Sequence, residues 1–252
     1  MTAGVRLDIA LVERSLVSSR NRAQRLVSQG RVHVNGTPAV RASQPIHPAD
    51  EVLVVEPERW VSRAAHKLDA ALDAIDPGGK LFADHPVVLD AGASTGGFTQ
   101  VCLERGASLV HAIDVGHDQI HPSLRADHRV HVVEGFNLRH LTPADLPGPV
   151  DLVVCDVSFI SLTMLLEQLL SVLTPTGMAV LMVKPQFEVG RELLGPGGVV
   201  TDPVLQQETV DRVAAQASDL GWQVVAGEPA AITGTHGNQE FFLALSRPQP
   251  HR

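Results

Sequence analysis

The stretch Val87-Val88-Leu89-Asp90-Ala91-Gly92-Ala93-Ser94-Thr95-Gly96-Gly97-Phe98-Thr99 decides the fold. A short apolar run ends in a carboxylate, three glycines follow, and residues 99–105 carry a helical pattern. The reading is a strand, a tight loop and a helix. Glycines let backbone come close to a ligand, and a helix N-terminus offers unpaired N–H groups.

Working outward, the same alternation recurs. Apolar runs at 109–114, 130–133, 152–156, 178–183, 223–226 and 240–246 read as strands, with helical patterns at 162–173 and 205–220. Short apolar strands with helices between them predict an α/β fold with a mostly parallel sheet of seven strands, covered on both faces. Residues 227–238 hold no helix-length segment, so the last two strands are expected as an antiparallel hairpin at the sheet edge. Upstream the pattern differs. Leu7, Leu11 and Leu16 repeat at roughly helical spacing, and a second helix is expected from Arg20 to Ser28 behind Ser18-Ser19. Val32, Val34 and Val40 alternate around Asn35-Gly36, a strong hairpin signal, and 51–55 reads as a closing strand. Three divisions result: a small α+β domain at 1–56, a linker at 57–62 and the α/β domain at 63–252.

Three nucleotide-type ligands suit the glycine loop. A phosphate-binding P-loop needs Lys-Ser/Thr after its last glycine, and here Phe98-Thr99 stands there. A dinucleotide site uses Gly-x-Gly-x-x-Gly, and Ser94 occupies the second glycine's place, which weakens that reading. S-adenosylmethionine is the third ligand, cationic and free of phosphate. Asp90 suits a cationic ligand, and Asp114, ending the second strand, is placed to accept ribose hydroxyls. Candidate cofactor contacts are therefore Asp90, Gly92, Ser94, Thr95, Gly96, Gly97, Asp114 and Asp156. Asp156 and Lys184 each stand where an apolar strand emerges at its carboxyl edge, the usual ligand edge of an open parallel sheet. Glu240 comes to that same edge. A lysine among carboxylates can draw a proton from a hydroxyl or, if charged, steady the developing oxyanion.

The charge balance qualifies the choice of substrate. The 252 residues carry 20 Lys/Arg and 28 Asp/Glu, a formal net charge of −8. Residues 1–67 hold ten basic and six acidic residues, leaving +4, and the remainder carries −12. Arg6, Arg14, Arg20, Arg22, Arg25, Arg31 and Arg41 stand against only Asp8 and Glu13 in the first 41 residues. No apolar run approaches the roughly 20 residues that span a bilayer. No secretory signal is legible, and the two cysteines lack metal-ligand spacing. A cytoplasmic protein with no membrane partner and no metal is expected.

Four strings together carry a resemblance: Asp90-Ala-Gly-Ala-Ser-Thr-Gly-Gly-Phe-Thr, Asp156-Val-Ser-Phe-Ile-Ser, Val183-Lys-Pro-Gln-Phe-Glu-Val-Gly and Gly237-Asn-Gln-Glu. They resemble the TlyA (hemolysin-like) methyltransferases over nearly the whole chain. Residues 5–56, with Arg6-Leu-Asp, Ser19-Arg and Gly30-Arg-Val-His-Val-Asn-Gly, resemble the alpha-L RNA-binding module of a small-subunit ribosomal protein. The resemblance implies a Rossmann-like methyltransferase using S-adenosylmethionine to methylate a ribose 2′-hydroxyl of ribosomal RNA, typically at cytidine. Ribosomal RNA or ribosomal subunits become the expected partners, met as a monomer or homodimer. It implies a Lys-Asp-Lys-Glu catalytic set, which falls on Lys67, Asp156, Lys184 and Glu240. The module it implies would dock on RNA through Arg6, Arg14, Arg20, Arg22, Arg25, Arg31 and Arg41. Lys67 emerges from the resemblance alone, because by itself it reads as an exposed helix lysine. Gln100 stands where an acidic residue is common in the family. The alternative is an O-methyltransferase for a small molecule on the same scaffold.

Overall fold

The computed structural model describes residues 4–55 and 59–248. The chain divides between Arg59 and Trp60 into two compact units. Of the expected linker, Pro57 and Glu58 lie outside the described residues. Trp60 is buried in the second unit beside Leu68 and Phe98, and the Val61 amide donates to Gln100 Oε1 at 2.8 Å.

The first unit runs β1 (Val5–Arg6), α1 (Leu7–Glu13), α2 (Arg20–Ser28), β2 (Val32–Val34), β3 (Thr37–Pro38), β4 (Pro45–Ile46) and β5 (Val52–Val54). Ser19 caps α2, its hydroxyl accepting from the Arg22 amide. Leu7, Ala10 and Leu11 of α1 pack with Ala23, Val27 and Val32 into a small core. Strands order β3-β2-β5, all antiparallel, and β1 pairs with β4. Asn35 and Gly36 have φ of 50° and 78°, the two left-handed residues that a tight two-residue hairpin turn requires. This register overturns one expectation. Ala39, not Val40, sits opposite Val32, its amide donating to the Val32 carbonyl. With a period of two, Val40 must then face outward, and it is 85% exposed.

The second unit runs α3 (Arg63–Ile75), β6 (Val87–Ala91), α4 (Gly97–Arg105), β7 (Leu109–Ile113), α5 (Pro122–Arg125), β8 (Val130–Val133), β9 (Val150–Cys155), α6 (Leu166–Ser171), β10 (Leu173–Val183), α7 (Pro185–Glu188), α8 (Pro203–Asp219), β11 (Gln223–Pro229) and β12 (Phe241–Ser246). The sheet order is β11-β12-β10-β9-β6-β7-β8. Strands β6 to β10 pair in parallel, and β12 alone runs the other way, antiparallel to both β10 and β11. The expected sheet and its final hairpin are both present, and β11 forms the edge. Alternate residues of each strand supply two cores. Leu89, Val153 and Leu181 face Leu166, Leu169 and Val213, and Val88, Leu152 and Val180 face Leu68, Phe98 and Val101.

Two elements differ from expectation. The helix expected over 162–173 is a 3-10 turn, Leu162–Met164, followed by the short α6, and Leu173 already belongs to β10. Thr174-Pro175-Thr176-Gly177 interrupts the pairing with β9 between Leu173 and Met178, since proline has no amide to donate. Helix α3 is absent from the elements expected from the sequence, although Ala65, Leu68, Ala71 and Leu72 form a buried stripe at helical spacing.

Candidate active site

Register brings the functional positions to one edge. Ala91 pairs with Cys155, Cys155 with Leu181, and Val183 with Phe241. Gly92, Asp156, Lys184 and Glu240 therefore leave the sheet together at the carboxyl ends of its parallel strands. The strand order reverses across β6, with β7 on one side and β9 on the other, which opens a crevice there.

Two ion pairs occupy that edge. Lys67 Nζ lies 2.5 Å from Glu240 Oε2, and Lys184 Nζ lies 2.6 Å from Asp156 Oδ1. The second is an electrostatic contact rather than an aligned hydrogen bond, and the Lys184 ammonium donates instead to Ser158 Oγ at 2.8 Å. Both lysines are 8% exposed and Glu240 is 2% exposed. Lys67 is thus not the exposed helix lysine that its local sequence suggests, because helix α3 turns it inward onto Glu240, the residue before β12. All four residues line one cavity of about 510 Å³. Arg63 lines the same cavity, exposed and with no carboxylate partner among the described residues.

The glycine loop walls a neighbouring cavity of about 520 Å³, with Gly92, Ser94, Asp114, Phe136, Leu138 and Leu165 in its lining. A smaller space of about 260 Å³ adjoins the loop at Thr95 and Gly97. Asp156 and Ser158 line all three. Gly92 has φ of 85°, and a Cβ there would come within 3.0 Å of the Asp156 carbonyl, so only glycine lets the loop pass. Gly96 caps α4 and Gly97 opens it. Asp114 accepts from the Ser94 and Gly116 amides at 2.8 and 2.7 Å. Each carboxylate oxygen has two acceptor sites, so capacity remains for a ligand's hydroxyls.

Asp90 lies elsewhere. It is fully buried behind the loop and lines none of these cavities. Thr99 donates to its Oδ2 at 2.6 Å, and Oδ1 has no hydrogen-bond partner among the described residues. Burial pushes its carboxyl up to about 7, the Thr99 bond opposes this, and the nearby Asp156 charge adds to it.

Phe159, unnoticed in the sequence, stands at the junction of the two large cavities. It is 91% exposed with φ of 64°, and its ring lies 5.1 Å from that of Phe187. A bulky residue in the left-handed region costs about 1–3 kcal/mol. In the sequence it stands inside the string Asp156-Val-Ser-Phe-Ile-Ser that carries the resemblance, without being singled out there. Gln100, the departure from the family pattern, has a local task in joining the Val61 amide to Glu104.

In the first unit the candidate RNA-binding arginines separate into two groups. Arg6 and Arg20 both bind the buried Asp8 carboxylate, at 3.0 Å each, Arg14 holds the carbonyls of His47 and Asp50, and Arg31 donates to the Val55 carbonyl. Arg22, Arg25 and Arg41 are exposed and make no ion pair among the described residues. The Arg6 hydrogen bonds hold the Asp8 carboxyl well below the usual carboxylate range against its own burial.

Residues 60–247 match the model of the FtsJ-like methyltransferase family, and residues 5–52 match the S4 domain. The chain is 47% identical over 247 residues to the 16S/23S rRNA (cytidine-2′-O)-methyltransferase TlyA of Mycobacterium tuberculosis, covering 97% of this chain and 91% of that protein. It is 32% identical to the 23S rRNA (cytidine-2′-O)-methyltransferase TlyA of Campylobacter jejuni, covering 92% and 95%. A solved structure of a hemolysin-named protein from Streptococcus thermophilus superposes with a TM-score of 0.72 at 36% identity, covering 99% of this chain and 90% of that one. Despite that name, no helix among the described residues is long and apolar enough to cross a membrane.

Proposed function

Since the chain belongs to the FtsJ-like methyltransferase family, and within it to the TlyA group, we propose that it transfers a methyl group from S-adenosylmethionine to a cytidine 2′-hydroxyl of ribosomal RNA. The observation that carries this reading is the convergence of two lysine–carboxylate pairs on one cavity that shares Asp156 and Ser158 with the glycine-loop cavity.

The glycine-loop cavity fits the cofactor by size and chemistry. About 520 Å³ is within the range of small-molecule sites. Asp114 offers acceptors for ribose hydroxyls, Phe136, Leu138 and Leu165 offer apolar wall, and the loop has no phosphate-binding lysine. S-adenosylmethionine, when bound, supplies an electrophilic methyl on a sulfonium. Lys184, once it has released a proton to solvent, holds the acceptor hydroxyl and receives its proton as the new O–C bond forms and the methyl–sulfur bond breaks, and Asp156 stabilises the ammonium that results. Ser158 fixes the Lys184 head from one side. Lys67, anchored by Glu240, presents a second positive charge to the developing oxyanion. Phe159 offers an exposed aromatic face at the cavity mouth on which the target base can stack.

A ribose within RNA carries phosphates, and Arg63 in the cavity is a cation with no carboxylate among the described residues to neutralise it. Arg22, Arg25 and Arg41 on the S4 domain add three more guanidiniums outside any ion pair described, suited to phosphate contacts. These features favour RNA over a small-molecule acceptor. The test is Lys184→Ala assayed with ribosomal subunits and S-adenosylmethionine. Loss of one general base predicts a fall in turnover of about 10²-fold or more, with cofactor affinity nearly unchanged. Retained turnover removes Lys184 from the mechanism.

A further inference from the structure

The two ion pairs rest on separate elements. Lys67 comes from α3 and Glu240 from the residue just before β12, while Asp156 follows β9 and Lys184 follows β10. Transfer requires them to keep a fixed spacing, because an error of about 1 Å at a reacting centre can cost on the order of 10²-fold in rate. One side chain spans the gap. Gln186, two residues beyond Lys184 on the short α7, donates its Nε2 to Glu240 Oε1 at 3.0 Å. Glu240 Oε2 is taken by Lys67, so the carboxylate is gripped at both oxygens, by a different element at each.

The orientation of the amide is forced. A carboxylate can only accept, so the Gln186 nitrogen must face it and the carbonyl must turn away. There Oε1 is buried and finds no hydrogen-bond partner among the described residues. A buried acceptor left unpaired lowers stability, and a methionine would fill similar volume without that penalty. What the glutamine adds is the N–H on Glu240. Gly234 lies against the same oxygen, where a Cβ would come within 2.7 Å of Glu240 Oε1.

We infer that Gln186 is a positioning residue that ties the Lys67–Glu240 pair to the segment carrying Lys184, and so sets the spacing of the catalytic groups. The inference rests on the proposed reaction for its kinetic consequence. Its structural content stands apart from RNA, and the experiment separates the two. The charged and titratable groups that share the cavity with Glu240 among the described residues are Lys67, in contact, and Lys184, Asp156, Arg63 and His236.

The chain has three lysines, Lys67, Lys80 and Lys184, and Lys80 is exposed. Reductive methylation followed by peptide mass spectrometry reads Lys67 against Lys80 as an internal reference, in the full-length protein without RNA. In Gln186→Met, relative labelling of Lys67 should rise roughly threefold or more as Glu240 gains freedom about its terminal torsion. The melting temperature should hold or rise. With ribosomal subunits the same variant should lose about tenfold in kcat, with substrate KM and cofactor affinity within about twofold, as expected for a lost positioning effect. Gln186→Glu supplies a second reading, because its carboxyl can donate to Glu240 only when protonated. Its rate relative to wild type should improve as pH falls. Unchanged Lys67 labelling in Gln186→Met overturns the brace, whatever the activity. So does unchanged kcat in an active enzyme, or a loss of kcat that merely tracks a fall in melting temperature and cofactor affinity. A wild-type protein inactive on ribosomal subunits refutes the proposed substrate instead, and the labelling still decides the role of Gln186.

Discussion

Asp90 gives the structure a measurable pH signature. Its carboxyl is fully buried, one oxygen lacks a partner among the described residues, and its folded value is pushed from 3.8 up to about 7. Between those two values the folded state binds a proton that the unfolded chain has released. Stability must therefore fall as pH rises through that window, and level off above about 7. Integrated from pH 5 to pH 8, this one group removes about 2–3 kcal/mol of folding stability. Asp90→Asn keeps the shape and cannot ionise, so it should lack this component. The assay is urea unfolding of wild type and variant, without cofactor, at half-unit steps between pH 5 and pH 8. Subtracting the two curves cancels every other titrating group to first order. A difference that grows by about 2–3 kcal/mol across the range, always in favour of the variant at higher pH, is the expected outcome. Parallel curves would refute the reasoning, because they would mean that Asp90 is ionised throughout and has a compensating partner.

Other residues yield shorter tests. Phe159→Ala removes a solvent-facing ring, so folding should be little changed while kcat/KM on ribosomal subunits drops about tenfold or more, matching the removal of one base stack of roughly 1–3 kcal/mol; full activity would rule out stacking there. Replacing Arg22, Arg25 and Arg41 together with glutamine should lower the slope of log affinity against log salt by about 2–3, near 0.9 for each phosphate no longer neutralised. An unaltered slope would move RNA binding to another face. Asp8→Asn weakens a buried carboxylate that holds Arg6, Arg20 and Gln24, and should destabilise the S4 domain by on the order of 2 kcal/mol, read by urea unfolding at neutral pH. That difference should shrink below about pH 4, since the depressed Asp8 carboxyl contributes only while ionised; a pH-independent difference would contradict the ion-pair account.

The sheet was legible because parallel strands covered on both faces are mostly apolar, and each ended at a glycine, a carboxylate or a lysine. Asn35-Gly36 fixed its turn for a similar reason, since few residue pairs tolerate two positive φ values. Lys67 was not legible bottom-up. Its function depends on a pairing with Glu240 across 173 residues of chain, and although the apolar stripe Ala65, Leu68, Ala71 and Leu72 marks the inward face of α3, it does not show what Lys67 meets there. Phe159 escaped notice because exposure and backbone conformation are tertiary facts, and an isolated phenylalanine reads as core. Asp90 illustrates the converse. Its strand-end position suggested a ligand contact, yet the helix that follows packs over it and Thr99 takes its oxygen. Local pattern locates the edge of a sheet, and packing decides which side chains at that edge reach the cavity.

The central claim is the transfer of a methyl group to a ribose 2′-oxygen of ribosomal RNA. The most direct test incubates the protein with isotopically labelled S-adenosylmethionine and separated ribosomal subunits, digests the RNA to nucleosides and identifies the labelled product by mass spectrometry. The account predicts label in 2′-O-methylcytidine, absent when Lys184→Ala replaces wild type. Label on a base, on protein or only on a small molecule, or no label in either subunit, would contradict it.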